Sequence, residues 1–333
     1  MNVDRITLEE GNMKRLVIGY DGSECAKDAL RDLRSVGLSG DLDVKLLTVA
    51  DVWLPVDSHK LEPVYPDVEA KAIRRARANA LEALREAREI AEAGRLQLVN
   101  VFPNWRIQAV AVADSPAWAI VRIAREFHAD LIVVGSHGRS MLERLFLGSV
   151  AQKVAVEAHC SVHVARPLSD RPLHKFRVLV AVDGSADSEA AVRAVLERHW
   201  RFNTEFKLVT VVDPRLQSAV AWPGRYAEQW VSPDDKNTKE WACRMVEQQA
   251  KRLYEAGLEV ETYIYNGDPK EVLVRAAKDL ETDCILIGAH GLHHTGHLSL
   301  GTVASAVTAR AHCSVEIIRT GTRPPSGKAS STS

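Results

Sequence analysis

The chain repeats itself, and the repeat restricts it to two copies of one fold. Leu131–Arg166 aligns with Cys284–Arg319 at a constant offset of 153, with Ala158-His159-Cys160-Ser161-Val162 facing Ala311-His312-Cys313-Ser314-Val315. Near the start of each copy the offset is 162, where Val17-Ile18-Gly19-Tyr20-Asp21-Gly22-Ser23 faces Leu179-Val180-Ala181-Val182-Asp183-Gly184-Ser185. The first copy therefore carries about ten extra residues in its middle, expected at Arg95–Asn104.

Within each copy, short apolar runs alternate with longer amphipathic ones, the signature of a parallel sheet flanked by helices. Strands are expected near Arg15–Gly19, Val44–Val49, Ile107–Val112, Leu131–Val134 and Ser161–Ala165. Their counterparts are Arg177–Ala181, Phe206–Val211, Glu259–Tyr265, Cys284–Ile287 and Ser314–Ile318. Helices are expected at Glu24–Val36, at Val68–Ala93 with Gly94 as its C-cap, and from Pro116 to about Phe127. The second long helix should stop at Gly257. The expected organisation is two α/β domains, residues 14–166 and 176–319, each a five-stranded, mostly parallel sheet flanked by helices. Residues 167–175 read as a linker, and 1–13 and 320–333 as flexible termini.

Composition excludes several classes. With 43 basic and 44 acidic residues the formal net charge is -1, which gives no global attraction to nucleic acid or anionic membrane. Five cysteines without a C-x-x-C argue against a disulfide framework and a four-cysteine zinc site. No apolar run is long enough for a bilayer, so a soluble, cytoplasmic protein is expected.

The chemistry sits in a duplicated glycine spacing: Gly135, Gly138 and Gly148-Ser149, then Gly288, Gly291 and Gly301-Thr302. Each set follows a strand and ends where a helical pattern begins. Ligands of parallel sheets settle outside the carboxyl ends of the strands, and a helix start offers unpaired N–H groups with partial positive charge. Glycines there would open backbone amides to a phosphate. The plainer reading of Ser149 is a helix cap, with Gln152 completing a capping box.

Other constellations are weaker. Gly321–Lys328 fails as a Walker A loop, since five residues separate its glycines and Ala329 stands where Ser or Thr is needed. His290, His293, His294 and His297 could gather on a metal, but the glycines around them favour a loop of solvated side chains. Asp21 and Asp183, with Asp51 and Asp213, suggest a receiver-like acidic site that lacks its lysine. Cys160 and Cys313 beside His159 and His312 adjoin the last strands, where packing is the simpler role. Some of the tryptophans between the second strand and the long helix could cover an adenine.

The paired G-x2-G-x9-G-[ST] motifs, the Asp-Gly-Ser ends of the first strands and the terminal Cys-Ser-Val strands resemble the universal stress protein family in its tandem form, and its ATP-binding branch. That resemblance implies an adenine nucleotide alpha hydrolase-like fold in each half, with the last strands forming an intramolecular pseudo-dimer contact. It implies that Asp21 and Val49 hold adenosine while Gly135, Gly138, Gly148 and Ser149 hold phosphates. Asp183, Val211, Gly288, Gly291, Gly301 and Thr302 would do the same in the second half. ATP with Mg2+ is the implied ligand, and the implied role is an ATP-binding regulator of a stress response acting on a protein partner that the sequence does not identify. A slow ATPase or nucleotidyl-transferring enzyme, and an interaction protein with unfilled pockets, stay as alternatives, as does further pairing of two chains. Arg139 and Arg144 flank the first glycine loop where Leu292 and His297 flank the second, so the first site is expected to hold polyphosphate more strongly.

Overall fold

The computed structural model describes residues 15–52, 66–138, 147–167, 175–213, 238–292 and 300–320. The first half runs β1 (Arg15–Gly19), α1 (Glu24–Asp32), β2 (Asp43–Ala50), α2 (Pro66–Val101), β3 (Arg106–Ala113), α3 (Pro116–Phe127), β4 (Leu131–Gly135), α4 (Ser149–Glu157) and β5 (Ser161–Ala165). The second runs β6 (Phe176–Ala181), α5 (Ala186–Leu196), β7 (Thr204–Val212), α6 (Thr238–Glu255), β8 (Glu259–Asn266), α7 (Pro269–Asp279), β9 (Cys284–Gly288), α8 (Thr302–Arg310) and β10 (Ser314–Ile318). Among the described residues one sheet of ten strands contains both halves, in the order β3-β2-β1-β4-β5-β10-β9-β6-β7-β8.

The inner strands are mostly apolar because both faces are covered, with His163 on β5 and Glu316 on β10 among the buried charged exceptions. Leu16 and Ile18 of β1 pack beneath α1 and α2, whereas Val17 between them packs against α3 and α4. In the second half Val178 and Val180 face α5 and α6, while Leu179 faces α7 and α8. Within each half all strand pairs are parallel. The chain order reverses between β1 and β4, and again between β6 and β9, which leaves a crevice at each switch point.

Two helix expectations are corrected. Helix α1 stops at Asp32, short of Val36, and turns lead to Gly37 at φ +72°. Gly94 does not cap α2, which continues through it to Val101. The reason is close packing: a Cβ on Gly94 would lie 2.7 Å from the Tyr20 ring. The buried faces Ala87, Ala91, Gly94, Leu98 and Ala242, Val246, Gln249, Leu253 align at an offset of 155. Most of the extra residues of the first half therefore precede Ala87 rather than occupying Arg95–Asn104. Gly257 does lie just beyond α6, at φ +81°. Gly94→Ala, a change that favours an isolated helix, is expected to destabilise this protein by roughly 1–3 kcal/mol through overpacking against Tyr20. A urea midpoint equal to or above wild type would show that Tyr20 yields freely.

The halves join where β5 and β10 pair antiparallel, with Glu316 directly opposite His163. Ser161 and Ser314 accept the main-chain N–H groups of Arg319 and Arg166 at 3.2 and 3.0 Å. Each arginine then reaches the last turn of a helix in the other half. Arg166 donates to Thr308 O at 2.7 Å and Arg319 to Ala155 O at 2.6 Å, satisfying carbonyls that a helix end leaves open.

At the centre lies a buried ion network. His163 places Nε2 2.7 Å from Asp32 Oδ2 and Nδ1 3.2 Å from Glu316 Oε2. A ring with an oxygen acceptor at both nitrogens requires both protons, so it is an imidazolium. Burial alone would depress its pKa, but the Asp32 and Glu316 carboxyls outweigh burial and raise it to about 9. Arg198 binds Glu316 through both terminal nitrogens and also donates to Val36 O at 3.2 Å. Burial would raise the Glu316 pKa, yet Arg198 and His163 hold it at about 2.

Candidate functional site

Each crevice is assembled from three chain segments. Asp21 and Asp183 follow β1 and β6, where Oδ1 of each accepts the N–H of Ser23 or Ser185 at 2.9 Å. Those serines cap α1 and α5 by accepting from Ala26 and Ser188. The serine caps fix the aspartates in a tight turn, with Gly22 and Gly184 at φ +77° and +81°. Thr48 and Thr210 tie the neighbouring strands to the same turns, donating to Tyr20 O at 2.7 Å and Val182 O at 3.0 Å.

The glycines divide into two roles. A Cβ on Gly138 would lie 3.1 Å from Asp21 Oδ2, and one on Gly291 2.8 Å from Asp183 Oδ2. The second glycine of each set thus lets the loop after β4 or β9 cross over the aspartate. The first glycine of each set has a packing role as well. A Cβ on Gly135 or Gly288 would meet the backbone of Cys25 at 3.1 Å or Asp187 at 2.9 Å, so these glycines admit the starts of α1 and α5.

The capping-box reading of Ser149 and Gln152 is corrected. The N-caps of α4 and α8 are Gly148 and Gly301, neither helix has a side-chain cap, and Ser149 and Thr302 occupy the first helical position. The N–H groups of Gly148 and Gly301 donate to Ser136 O and Ala289 O, both at 2.8 Å, pinning the helix starts against the glycine loops. The next N–H groups have no side-chain acceptor from a cap, which is the arrangement that suits an anion.

In the second half these pieces enclose a cavity of about 390 Å³. Asp183, Val211, Gly288, Gly291, Gly301 and Thr302, all expected from the sequence, line it together. Its volume falls within the range of small-molecule sites. Trp241 of α6 closes one wall and packs 3.2 Å from the Cβ position of Gly184. In the first half Asp21, Val49, Gly135, Gly138, Gly148 and Ser149 occupy the matching positions on β1, β2, β4 and α4. Arg139 and Arg144 lie outside the described residues, as do His293, His294, His297 and the tryptophans Trp53, Trp222 and Trp230.

Sequence reasoning missed Thr48, Thr210 and Asp187, whereas Trp241 was among the tryptophans it named. The threonines carried a signal, since they align at the same offset of 162 as the aspartates. Trp118 lies in α3 under Lys153, and Trp105 stacks on Phe102 beyond α2, so neither belongs to a crevice. Cys160 and Cys313 are buried, and burial pushes both thiols up to about 12, which leaves them inert. Burial also lowers the pKa of His137, with Arg166 acting in the same direction. Among the described residues no His, Cys, Asp and Glu group is placed to hold a metal ion, and no helix is long and apolar enough to cross a membrane.

Fold and crevices define a duplicated doubly wound α/β protein with a candidate ligand site at each switch point. The model of the Universal stress protein family matches residues 12–166 and 176–319, and the chain belongs to that family in tandem, two-domain form. A universal stress protein of Methanocaldococcus jannaschii is 31% identical over 164 residues, covering 47% of this chain and 84% of that protein. One of Thermus aquaticus is 31% identical over 153 residues, covering 46% of this chain and 98% of its own. The crystal structure of a universal stress protein from Archaeoglobus fulgidus covers 93% of this chain and 99% of that one with a TM-score of 0.60. At 17% identity it shows the shared fold.

Proposed function

We propose that this chain is a nucleotide-binding regulator whose crevices take ATP, with Mg2+ carried on the phosphates. The observation that carries the reading is the cavity where Asp183, Val211, Gly291, Gly301 and Thr302 meet at the uncapped start of α8. The apolar wall of Val211 and Trp241 suits a base, the Asp183 carboxylate suits ribose hydroxyls, and the helix start suits phosphate. Base, ribose and phosphate are the parts of an adenine nucleotide, and the β7 end, the β6 end and the start of α8 suit them in that order. A protein that binds this ligand on two joined halves can report nucleotide level through a change in packing or in affinity for a protein partner.

Calorimetric titration with Mg-ATP tests the reading. Binding is expected, and Asp183→Ala should weaken the second site by roughly tenfold, the scale of one lost charged hydrogen bond. Wild-type protein that binds none of ATP, ADP and AMP would overturn it. Sustained ADP release over many turnovers would instead mark the protein as an ATPase.

A further inference from the structure

We propose that Asp187 is a positioning residue of the second crevice: it locks the glycine loop of that half into binding geometry and sets its affinity for a phosphate-bearing ligand. The inference rests on the nucleotide-binding reading and adds to it a determinant that only one half possesses.

Asp187 is the second residue of α5 and is 6% exposed. Its Oδ2 accepts the main-chain N–H of His290 at 3.0 Å and lies 2.9 Å from His290 Nδ1. Its Oδ1 accepts the N–H and the hydroxyl of Thr320 at 3.1 and 2.8 Å. Ser185 Oγ donates to His290 O at 3.2 Å, so both main-chain polar groups of His290 are held. His290 stands between Gly288 and Gly291 and lines the cavity with them. One carboxylate therefore joins the start of α5, the glycine loop and the chain leaving β10.

The repeat shows what the first half has in its place. The counterparts of Asp187, His290 and Thr320 are Cys25, His137 and Pro167. Cysteine has no carboxylate, and proline has neither an N–H nor a hydroxyl to give. His137 Nδ1 instead lies 3.0 Å from Ser136 Oγ, a contact inside its own loop. A loop already held in place loses less freedom when a ligand arrives, and that difference appears as affinity.

The experiment uses the full chain carrying Gly148→Val, which closes the first crevice, so that titration with Mg-ATP reads the second alone. Asp187→Ala is expected to weaken binding by roughly tenfold. Thr320→Val should weaken it by a smaller factor and Thr320→Ser should restore it, a rescue that a general loss of packing does not give. Without ligand, Asp187→Ala should speed amide hydrogen exchange at Ala289–Gly291. Unchanged affinity in Asp187→Ala overturns the inference while leaving the nucleotide reading intact. If Asp187→Ala does not fold, the Thr320 pair decides, and equal affinities for Val and Ser overturn it. No binding by the wild-type chain overturns the nucleotide reading, and this inference falls with it.

Discussion

Glu316→Ala is expected to lower the unfolding free energy by roughly 3–5 kcal/mol, the cost of leaving buried charge without its partner. Glu316, His163 and Arg198 are all close to fully buried, so solvent cannot take over from the lost carboxylate. The variant leaves Arg198 and the His163 imidazolium under the same strands, with Asp32 alone to balance both. Glu316→Gln keeps the shape and removes the charge, and should lose a comparable amount. Urea denaturation decides: a cost below about 1 kcal/mol for both variants would mean that the network contributes shape rather than charge pairing.

The same network predicts a pH profile. The His163 pKa rises from 6.5 unfolded to about 9 folded, so its contribution is complete below pH 6.5 and is lost as pH rises through 9. The Glu316 pKa falls from 4.5 to about 2, so its contribution is complete above pH 4.5 and is lost as pH falls through 2. Together they place the fullest contribution between pH 4.5 and 6.5, with a decline towards pH 9. His163→Gln should flatten the alkaline limb of a thermal-midpoint profile, and a limb of unchanged slope would assign that decline to other groups.

Gly301→Val is expected to weaken Mg-ATP binding in the second half by roughly 100-fold or more, and Gly148→Val to do the same in the first. A Cβ on Gly301 would lie 2.8 Å from Ala289 O, the carbonyl that holds the Gly301 N–H. The branched side chain must therefore push the start of α8 away from the glycine loop, opening the corner where the uncapped amides converge. The Gly148 position is slightly looser, with 3.1 Å to Ser136 O, and the first half should tolerate its substitution somewhat better. Calorimetric stoichiometry reads both: each single variant should lose one site and the double variant both. Full stoichiometry in the double variant would place the ligand elsewhere on the molecule.

Much of this was legible in the residues. Each of the ten expected strands is found among the described residues, the inner ones because they are buried on both faces and the edge strands β3 and β8 with mixed, partly exposed sequences. The glycine sets fell at the strand ends because a parallel sheet must turn into a helix there. The duplicated Asp-Gly-Ser turns and G-x2-G-x9-G-[ST] spacings pointed to Asp183, Gly291, Gly301 and Thr302, the family resemblance added Val211, and all five line one cavity. Less was visible at Gly94, where a residue that commonly ends helices is instead there to let Tyr20 approach. Propensity describes a helix by itself and carries no term for what packs on it.

The sequence by itself determined the duplication, the strand and helix pattern, and the positions of the glycine loops, because these depend on spacing over a few residues. Only the tertiary structure decided that His163 faces Glu316, that Asp187 grips His290 and Thr320, and that Arg166 and Arg319 close helices in the opposite half. Those partners lie more than a hundred residues apart. Their meeting follows from the antiparallel register of β5 on β10 and from the depth at which α5 packs, which no local pattern encodes.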